Sequence, residues 1–354
     1  MSIRTRLPRR SVASLVVTAV ALVAFTGCSA PDDNASTIVE TTTRIAGAGV
    51  VGIERDTATA CATPTPLDGG LAPDSTHPVT HTLGETQVPA DPQRIVVLDP
   101  AALDTVCALG LWERVVGAAT VEGESPQPAY LGSGISEIPG VGPVGAPDLD
   151  LIAQAAPDLI LGSSPASDGL YEGLEAIAPT VFAGSDPVYW KAQFQVAAGA
   201  LGRTEAAAAS LEQYQEEAAQ TGLDIDATQT QASVVSFGTD SLTISGPASF
   251  AGQVLTDAGV RRPHYQRLEE SATEEISEDD LSKAEGDLIY VGFDGPEAQE
   301  HGTEVMRSEG WEDLEAATDN RVFAVDNSIW KGNGLVAARA IVGDLRESLN
   351  AYVS

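Results

Sequence analysis

The sequence has few histidines and lacks the common short motifs of catalytic and metal-binding sites. Only four histidines are present (His77, His81, His264 and His301), and none directly follows a predicted strand, where zinc ligands would be needed. The motifs G-x-S-x-G, H-E-x-x-H and G-x-x-x-x-G-K-[ST] do not occur. The sequence therefore predicts no enzyme activity, no cofactor and no metal site. The remaining chemistry is that of three cysteines and of aromatic and charged residues in loops.

The amino terminus has the pattern of an export signal. Four arginines among the first ten residues precede an uncharged apolar run over 12–25, which is too short to form a comfortable membrane-spanning helix. Thr26-Gly27-Cys28 then resembles the lipobox of bacterial lipoproteins, in which cleavage exposes a cysteine that carries diacylglycerol. We expect residues 1–27 to be a signal peptide and Cys28 to be lipidated, anchoring the protein to the outer face of the cytoplasmic membrane. A secreted protein with a chance cysteine is the alternative.

The other two cysteines are candidates for a disulfide. If Cys28 is lipidated, Cys61 and Cys107 remain, and two cysteines in an exported chain most simply pair with each other. The bridge would close a loop of about 45 residues, which the chain-entropy model values at roughly 3–4 kcal/mol. Two buried free thiols are the alternative.

Charge and length limit the classes of partner. The sequence has 51 acidic against 19 basic residues, and loss of the four arginines of the predicted signal would leave a net charge of −36. Such a charge repels nucleic acid and anionic lipid headgroups and favours a soluble monomer. The 327 residues after the signal exceed one comfortable core and predict two domains.

The segment that follows the predicted lipidation site is rich in Ser, Thr, Pro and Gly. Its composition predicts a flexible tether over 28–76. Gly47, Gly49 and Gly52 within it match the dinucleotide fingerprint G-x-G-x-x-G, but no buried strand precedes them and no helix follows. We expect an extended segment that packs on a lobe surface near Cys61.

From residue 77 onward, short strands alternate with helices. After a hairpin at 79–88, strands are predicted at 94–98, 115–117, 158–162, 179–182, 233–237, 287–291 and 321–325, and helices at 101–111, 149–155, 170–177, 250–258, 303–317 and from about 335. A long helix over 204–221, closed by Gly222, divides two similar halves. The fold class is α/β, with two Rossmann-like lobes at 77–203 and 223–354, mostly parallel sheets and an interlobe helix at 204–222.

Several motifs, taken in order, resemble a known family. They are VPADPQRIVVL at 88–98, PDLDLI at 147–152 before APDLILG at 156–162, and ISEDDL at 276–281 before GDLIY at 286–290. Together they resemble the substrate-binding lipoproteins of ABC importers for iron-siderophores, haem and cobalamin, and in particular the FecB-type, iron dicitrate-binding branch. The resemblance implies that a ferric siderophore, ferric dicitrate or haem is bound in a shallow cleft between the lobes and delivered to an ABC permease.

A ferric chelate is large, flat and partly apolar, so its cleft needs aromatic walls and a few polar or cationic groups. Residues of these types in predicted loops or at element starts are candidates for ligand binding, with Trp190 and Trp330 the best placed. The candidates are Asp99, Tyr130, Tyr171, Trp190, Phe250, Tyr265, Trp330, Lys331 and Arg339. Arg262 is a further possible cation. Any one of the aromatic residues could instead belong to a lobe core.

The resemblance also implies a permease-docking acid on each lobe, usually Glu. The matching positions are Asp150 and Asp279, whose side chains are one methylene shorter. Each lies in the first turn of a predicted helix, where a carboxylate also favours the positive end of the helix dipole.

The rival interpretation is a cell-envelope interaction, scaffold or haem-trafficking protein that has the same fold and no dedicated permease.

Overall fold

The structure is a computed structural model that describes residues 44–121, 123, 125–165, 167, 169–269 and 271–349. The predicted signal peptide and Cys28 lie outside these residues. The strands are β1 Arg44–Ile45, β2 Ala48–Val50, β3 Thr76–His81, β4 Gly84–Pro89, β5 Ile95–Val97, β6 Val115–Thr120, β7 Gly140–Pro143, β8 Leu159–Gly162, β9 Thr180–Phe182, β10 Ala232–Phe237, β11 Leu242–Ser245, β12 Thr273–Glu275, β13 Leu288–Phe293 and β14 Val322–Ala324.

The α-helices are α1 Pro100–Ala108, α2 Ser133–Ser136, α3 Leu149–Ala155, α4 Leu170–Glu175, α5 Trp190–Ala200, α6 Thr204–Asp224, α7 Phe250–Asp257, α8 Pro296–Val305, α9 Glu309–Glu312, α10 Glu315–Thr318, α11 Asn327–Trp330 and α12 Leu335–Leu349. Short 3-10 helices lie at Thr57–Thr59, Trp112–Arg114, Ala129–Leu131, Pro187–Tyr189, Ala227–Gln229, His264–Gln266 and Leu281–Ala284. A search of the described residues finds no helix with the length and apolar character needed to span a membrane.

The first lobe contains a five-stranded parallel sheet in the order β7-β6-β5-β8-β9. Its central strands are apolar on both faces because helices cover both sides. Val96 packs in a cluster with Ile152 of α3 and Leu174 of α4, whereas Ile95 and Val97 belong to the core that contains α1 and α5. The continuous apolar runs of the sequence therefore correctly predict this parallel sheet.

The second lobe contains a seven-stranded mixed sheet in the order β1-β2-β14-β13-β10-β11-β12. Strands β2, β14, β13 and β10 are parallel, while β1, β11 and β12 are antiparallel to their neighbours. The predicted helix over 303–317 is wrong in its bounds. It consists of α8, which begins at Pro296, and two short helices, because the side chain of Ser308 caps α9 and starts a new helix there.

The long helix α6 connects the two lobes, as predicted, but it does not end at Gly222. The helix continues to Asp224, and Gly222 is buried against the backbone of Ala258. A Cβ atom at residue 222 would lie 2.0 Å from the carbonyl oxygen of Ala258. The glycine therefore allows close packing of α6 on the end of α7 rather than termination of the helix.

The prediction of a flexible tether over 28–76 is wrong for the described part, residues 44–76. Strands β1 and β2 form a hairpin, and β2 pairs in parallel with β14. The backbone N–H of Val51 donates to the carbonyl of Ala324 at 3.1 Å. The hydrogen bonds of a sheet join backbone N–H and C=O groups, so a Gly- and Ala-rich composition does not exclude pairing. The extended segment predicted near Cys61 is this hairpin and the residues after it.

The predicted disulfide between Cys61 and Cys107 is present, with the two Cα atoms 4.5 Å apart. Backbone hydrogen bonds run beside it from Ala62 N–H to the Cys107 carbonyl and from Thr65 N–H to the Leu109 carbonyl. The chain therefore passes from the sheet of the second lobe to helix α1 of the first lobe. We call residues 51–62 the strap.

Candidate functional site

A cavity of about 500 Å³ lies at the carboxyl edge of the first sheet. Parallel strands end at one edge of their sheet, which is the usual place for a ligand in open α/β folds. The cavity is lined by the residues that follow β8 and β9, the turn between β3 and β4, and the start of α5: Thr82, Leu83, Ser163, Ser164, Pro165, Ala183, Gly184, Ser185, Asp186, Tyr189, Ala192, Gln193 and Val196. We call it the edge cavity.

Two large apolar side chains of the edge cavity face solvent. Tyr189 is 61% exposed and Leu83 is 45% exposed, and both line the edge cavity. Around them, the hydroxyl groups of Ser163 and Ser164 supply hydrogen-bonding capacity. This combination suits a flat, partly apolar ligand that carries hydrogen-bonding groups at its edge.

The second lobe meets the edge cavity through Asn333. Its amide nitrogen donates to Gln193 Oε1 at 2.7 Å, and Gln193 Nε2 in turn donates to the carbonyl of Asp186 at 2.7 Å. Lys331, two residues earlier in the chain, pairs with Asp294 at 2.6 Å. The edge cavity therefore opens beside the seam between the lobes, with Lys331 close by in the sequence.

Asp99 stabilises the wall of the edge cavity rather than standing free in it. One carboxylate oxygen accepts from the N–H of Ala102 at 2.9 Å and caps α1, and the other accepts from the N–H of Ser163 at 2.5 Å. Burial raises the pKa of this carboxyl, and the backbone donors act in the opposite direction. Asp99 thus ties the start of α1 to the end of β8, which fixes the position of Ser163.

The structure does not place the two tryptophans favoured by the sequence on a cleft wall. Trp190 is 1% exposed and packs edge-to-face against Tyr214 and Phe250, with ring centroids 5.4 and 5.5 Å apart. Trp330 is 3% exposed, lies 4.4 Å from the ring of Tyr290, and its indole N–H is hydrogen-bonded within the fold. Trp190 on α5, Phe250 on α7 and Trp330 on α11 all belong to one hydrophobic core, because each lies on the face of its helix that packs against the rest of the protein.

The remaining aromatic candidates are separated from one another. Tyr171 donates to Glu175 at 2.7 Å and packs near His81 and Phe182. Tyr265 is 53% exposed, its ring packs edge-on against that of its neighbour His264 at 5.3 Å between centroids, and it does not line the edge cavity. Tyr130 is buried and lines a different cavity, described below, as Arg339 also does.

The cationic candidates do not converge on one site. Arg262 is buried and donates to the carbonyls of Ala232 and Ser245 and to Gln266, and burial lowers its pKa to about 9. Arg339 pairs with Glu217 of α6 at 3.2 Å. Of the three cationic candidates, Lys331 is the nearest in sequence to Asn333, which contacts the edge cavity, and Lys331 is already paired with Asp294.

Sequence reasoning missed Tyr189 because it did not predict α5. The buried residues Trp190, Phe194 and Ala197 recur at the spacing of one helical face. That pattern could have located the helix, placed Trp190 in its core face and left Tyr189 at the exposed end.

A larger cavity of about 890 Å³ lies elsewhere, between the strap and α12. We assign the ligand site to the smaller edge cavity, because it lies at the carboxyl ends of two adjacent strands of the parallel sheet, β8 and β9, whereas the larger cavity extends along the side of α12. None of residues 44–61 lines the edge cavity. Among the described residues, no group of three or more His, Cys, Asp or Glu side chains is arranged to hold a metal ion.

Two α/β lobes joined by one long helix, with an open cavity at a strand edge beside their seam, define a substrate-binding protein of the class III periplasmic type. The family model for periplasmic binding proteins (Peripla_BP_2) matches residues 95–329, and the chain belongs to this family.

The similarity to individual proteins extends over most of the chain. The probable siderophore-binding lipoprotein YfiY of Bacillus subtilis is 27% identical over 288 residues, which cover 78% of this chain and 88% of YfiY. The Fe(3+) dicitrate-binding periplasmic protein FecB of Escherichia coli is 26% identical over 275 residues, covering 75% and 86%. The crystal structure of Staphylococcus aureus SirA complexed with staphyloferrin B superposes with a TM-score of 0.69 at 27% identity, covering 78% of this chain and 99% of SirA.

Proposed function

We propose that this protein is the substrate-binding component of an ABC importer and captures a ferric siderophore-type chelate. The observation that carries the proposal is the edge cavity, with its exposed Tyr189, at the lobe seam of a periplasmic binding protein. Relatives named for siderophore and ferric citrate binding support it. Binding would use stacking and hydrogen bonds, without covalent chemistry or a cofactor.

The charges near the seam favour a chelate with little or no negative charge. Asp186 lines the edge cavity, and Asp294 neutralises Lys331. Arg262 and Arg339 are engaged elsewhere, so a trianionic ligand would meet no free cationic side chain among these candidates. We therefore rank a neutral or cationic ferric hydroxamate ahead of ferric dicitrate, with a ferric catecholate and haem as the less favoured ligands.

The test is titration of intrinsic tryptophan fluorescence in the chain from residue 29 onward. The ligands are a ferric trihydroxamate, ferric dicitrate, a ferric tricatecholate and haem, each beside its iron-free form, with free tryptophan as the control for optical quenching. We expect saturable binding of one ferric chelate only. Tyr189→Ala should weaken it about fivefold to tenfold, because loss of an aromatic contact costs about 1–1.5 kcal/mol.

Tyr265→Ala is the matched control, since Tyr265 has similar exposure but lies outside the edge cavity. An equal or larger loss of chelate affinity in Tyr265→Ala would reject the edge cavity as the ligand site. It would favour a site at Tyr265, which the sequence analysis proposes. The absence of saturable binding to any chelate would reject the proposed function and favour the envelope-interaction alternative.

Delivery to a permease is the second part of the proposal. Asp150 in the first turn of α3 and Asp279 before the 3-10 helix at 281–284 are both exposed, one on each lobe. The double variant Asp150→Arg with Asp279→Arg should retain chelate binding and lose uptake of the iron chelate in cells. Unchanged uptake would indicate that these acids do not dock on a permease.

A further inference from the structure

The strap encloses a groove whose shape is set by attachments at both ends. At one end, the Gly52 N–H donates to Glu347 at 2.9 Å, and the Arg55 guanidinium pairs with buried Asp344. At the other end, the disulfide between Cys61 and Cys107 fixes the strap to α1. The groove between the strap and α12 is therefore formed by covalent and hydrogen-bonded constraints from both lobes, not by a loose loop.

The groove is large and its walls are mostly small and apolar. Its volume is about 890 Å³, within the range of about 300–1,000 Å³ typical of small-molecule sites. Val336, Ala340 and Gly343 recur along one face of α12 and line it, and Tyr130 of the first lobe contributes a buried aromatic ring. Ile53 of the strap also lines the groove and is 56% exposed, so an apolar side chain is left uncovered there.

Gly343 shows that the space along α12 is open. A Cβ atom at this position would meet no other atom within 4 Å. A glycine inside a helix is less favourable than alanine by roughly 1 kcal/mol. Gly343 therefore leaves open space in the groove, although the surrounding atoms would accommodate a larger side chain.

The charges that line the groove are unbalanced. Both arginines are paired, Arg55 with Asp344 and Arg339 with Glu217. The carboxylates of Glu54, Asp56 and Glu347 also line the groove, and they have no cationic partner among the described residues. An apolar trough with uncompensated carboxylates is complementary to a cation that has an apolar body.

We propose that this groove is a second binding site, separate from the edge cavity, for an organic cation with an apolar body. The site goes beyond the proposed capture of a ferric chelate and does not depend on it. Because both lobes and the strap line it, an occupant would contact both lobes at once.

The experiment compares two fluorescent dyes on the chain from residue 29 onward. One is a styrylpyridinium dye with a permanent positive charge, and the other is the anionic dye ANS. We expect saturable binding of the cationic dye that is at least about tenfold tighter than that of ANS, which corresponds to about 1.4 kcal/mol. Gly343→Phe, whose ring would fill the groove, should weaken cationic-dye binding by about tenfold or more.

Matched variants separate this site from others. Gly69→Phe adds the same side chain at another position where a Cβ atom meets nothing within 4 Å and which does not line the groove, and it should bind the cationic dye normally. Replacing Glu54 and Glu347 together by Gln keeps one hydrogen-bonding oxygen in each side chain, and it should weaken binding of the cationic dye without weakening that of ANS. Circular dichroism confirms that each variant is folded.

The proposal would be overturned by no saturable binding of the cationic dye, by equal binding to Gly343→Phe, or by equal affinity for ANS. Loss of dye binding in Tyr189→Ala would also overturn it, by placing the dye in the edge cavity. Ferric chelate titration of Gly343→Phe keeps the two sites distinguishable, because that variant should bind the chelate as the parent protein does.

Discussion

Asp104 is the residue through which helix α12 rests on the first lobe, and its replacement by Asn gives a quantitative test of the lobe seam. Its carboxylate accepts from the N–H groups of Val336 and Ala337 at 2.9 and 3.0 Å, and from the Tyr130 hydroxyl at 3.1 Å. The side chain is completely buried. Asp104→Asn keeps the size and one acceptor oxygen but removes the ionisation.

The magnitude follows from the shift of the carboxyl pKa. Burial raises the pKa of Asp104 from 3.8 to about 6, against the lowering effect of its backbone donors. Each pKa unit corresponds to about 1.4 kcal/mol, so ionisation of Asp104 in the folded protein costs about 3 kcal/mol relative to the unfolded chain. Because the folded state holds this proton more tightly, the contribution of Asp104 to stability falls as the pH rises from about 4 to about 6 and is constant above that.

The assay is urea unfolding followed by circular dichroism at pH 4 to 7.5 for the parent protein and Asp104→Asn. We expect the free energy of unfolding of the parent, relative to the variant, to decrease by up to about 3 kcal/mol across this window. Asp150→Asn removes an exposed carboxylate of the first lobe and controls for the change in net charge. A difference between the parent and Asp104→Asn that is independent of pH, or that grows in favour of the parent as pH rises, would refute the reasoning.

Other substitutions test the packing that positions the sites. Replacing Cys61 and Cys107 by Ala should lower the free energy of unfolding by up to about 4 kcal/mol and lower the midpoint of thermal unfolding, since the bridge closes a long loop; an unchanged midpoint would contradict this. Gly222→Ala should destabilise the protein by about 1–3 kcal/mol through overpacking, whereas Gly343→Ala should stabilise it by about 0.5–1 kcal/mol, both measured by urea unfolding; equal effects would contradict the helix packing. Arg262→Met should cost about 2–4 kcal/mol in the same assay, because buried acceptors lose their donors; a neutral result would show that burial of the guanidinium cancels its hydrogen bonds.

Much of the fold could be read from residue patterns because the patterns reflect local burial. The predicted strands at 94–98 and 158–162 contain the apolar runs 95–98 and 159–161, which correspond to β5 and β8 and are covered by helices on both faces. The run without Gly or Pro from Thr204 predicts the helix that joins the lobes. Strands β1 and β2 could not be predicted, because their pairing partner β14 lies some 270 residues further along the chain and main-chain hydrogen bonds leave little mark on side-chain type.

The candidate site was less predictable for a related reason. The composition and the order of motifs indicated a protein that binds its ligand between two lobes, and they placed Trp330 after the last strand, but they did not predict α5, which carries Trp190. They could not show which side of those elements faces solvent. Trp330 follows the last strand as expected, yet α12 returns over it and its indole N–H bonds to Asp344, fourteen residues later.

The sequence by itself determined the α/β class, the division by one long helix and the absence of the common catalytic motifs, and it predicted the pairing of Cys61 with Cys107 that the structure shows. These features depend on periodicity and residue type, which act within a few turns or a single strand. Only the tertiary structure decided that Tyr189 is exposed while Trp190 beside it is buried, and that the strap and α12 form a groove. Exposure at those positions depends on how two lobes pack against each other, and that contact joins residues too distant in the chain for local patterns to record.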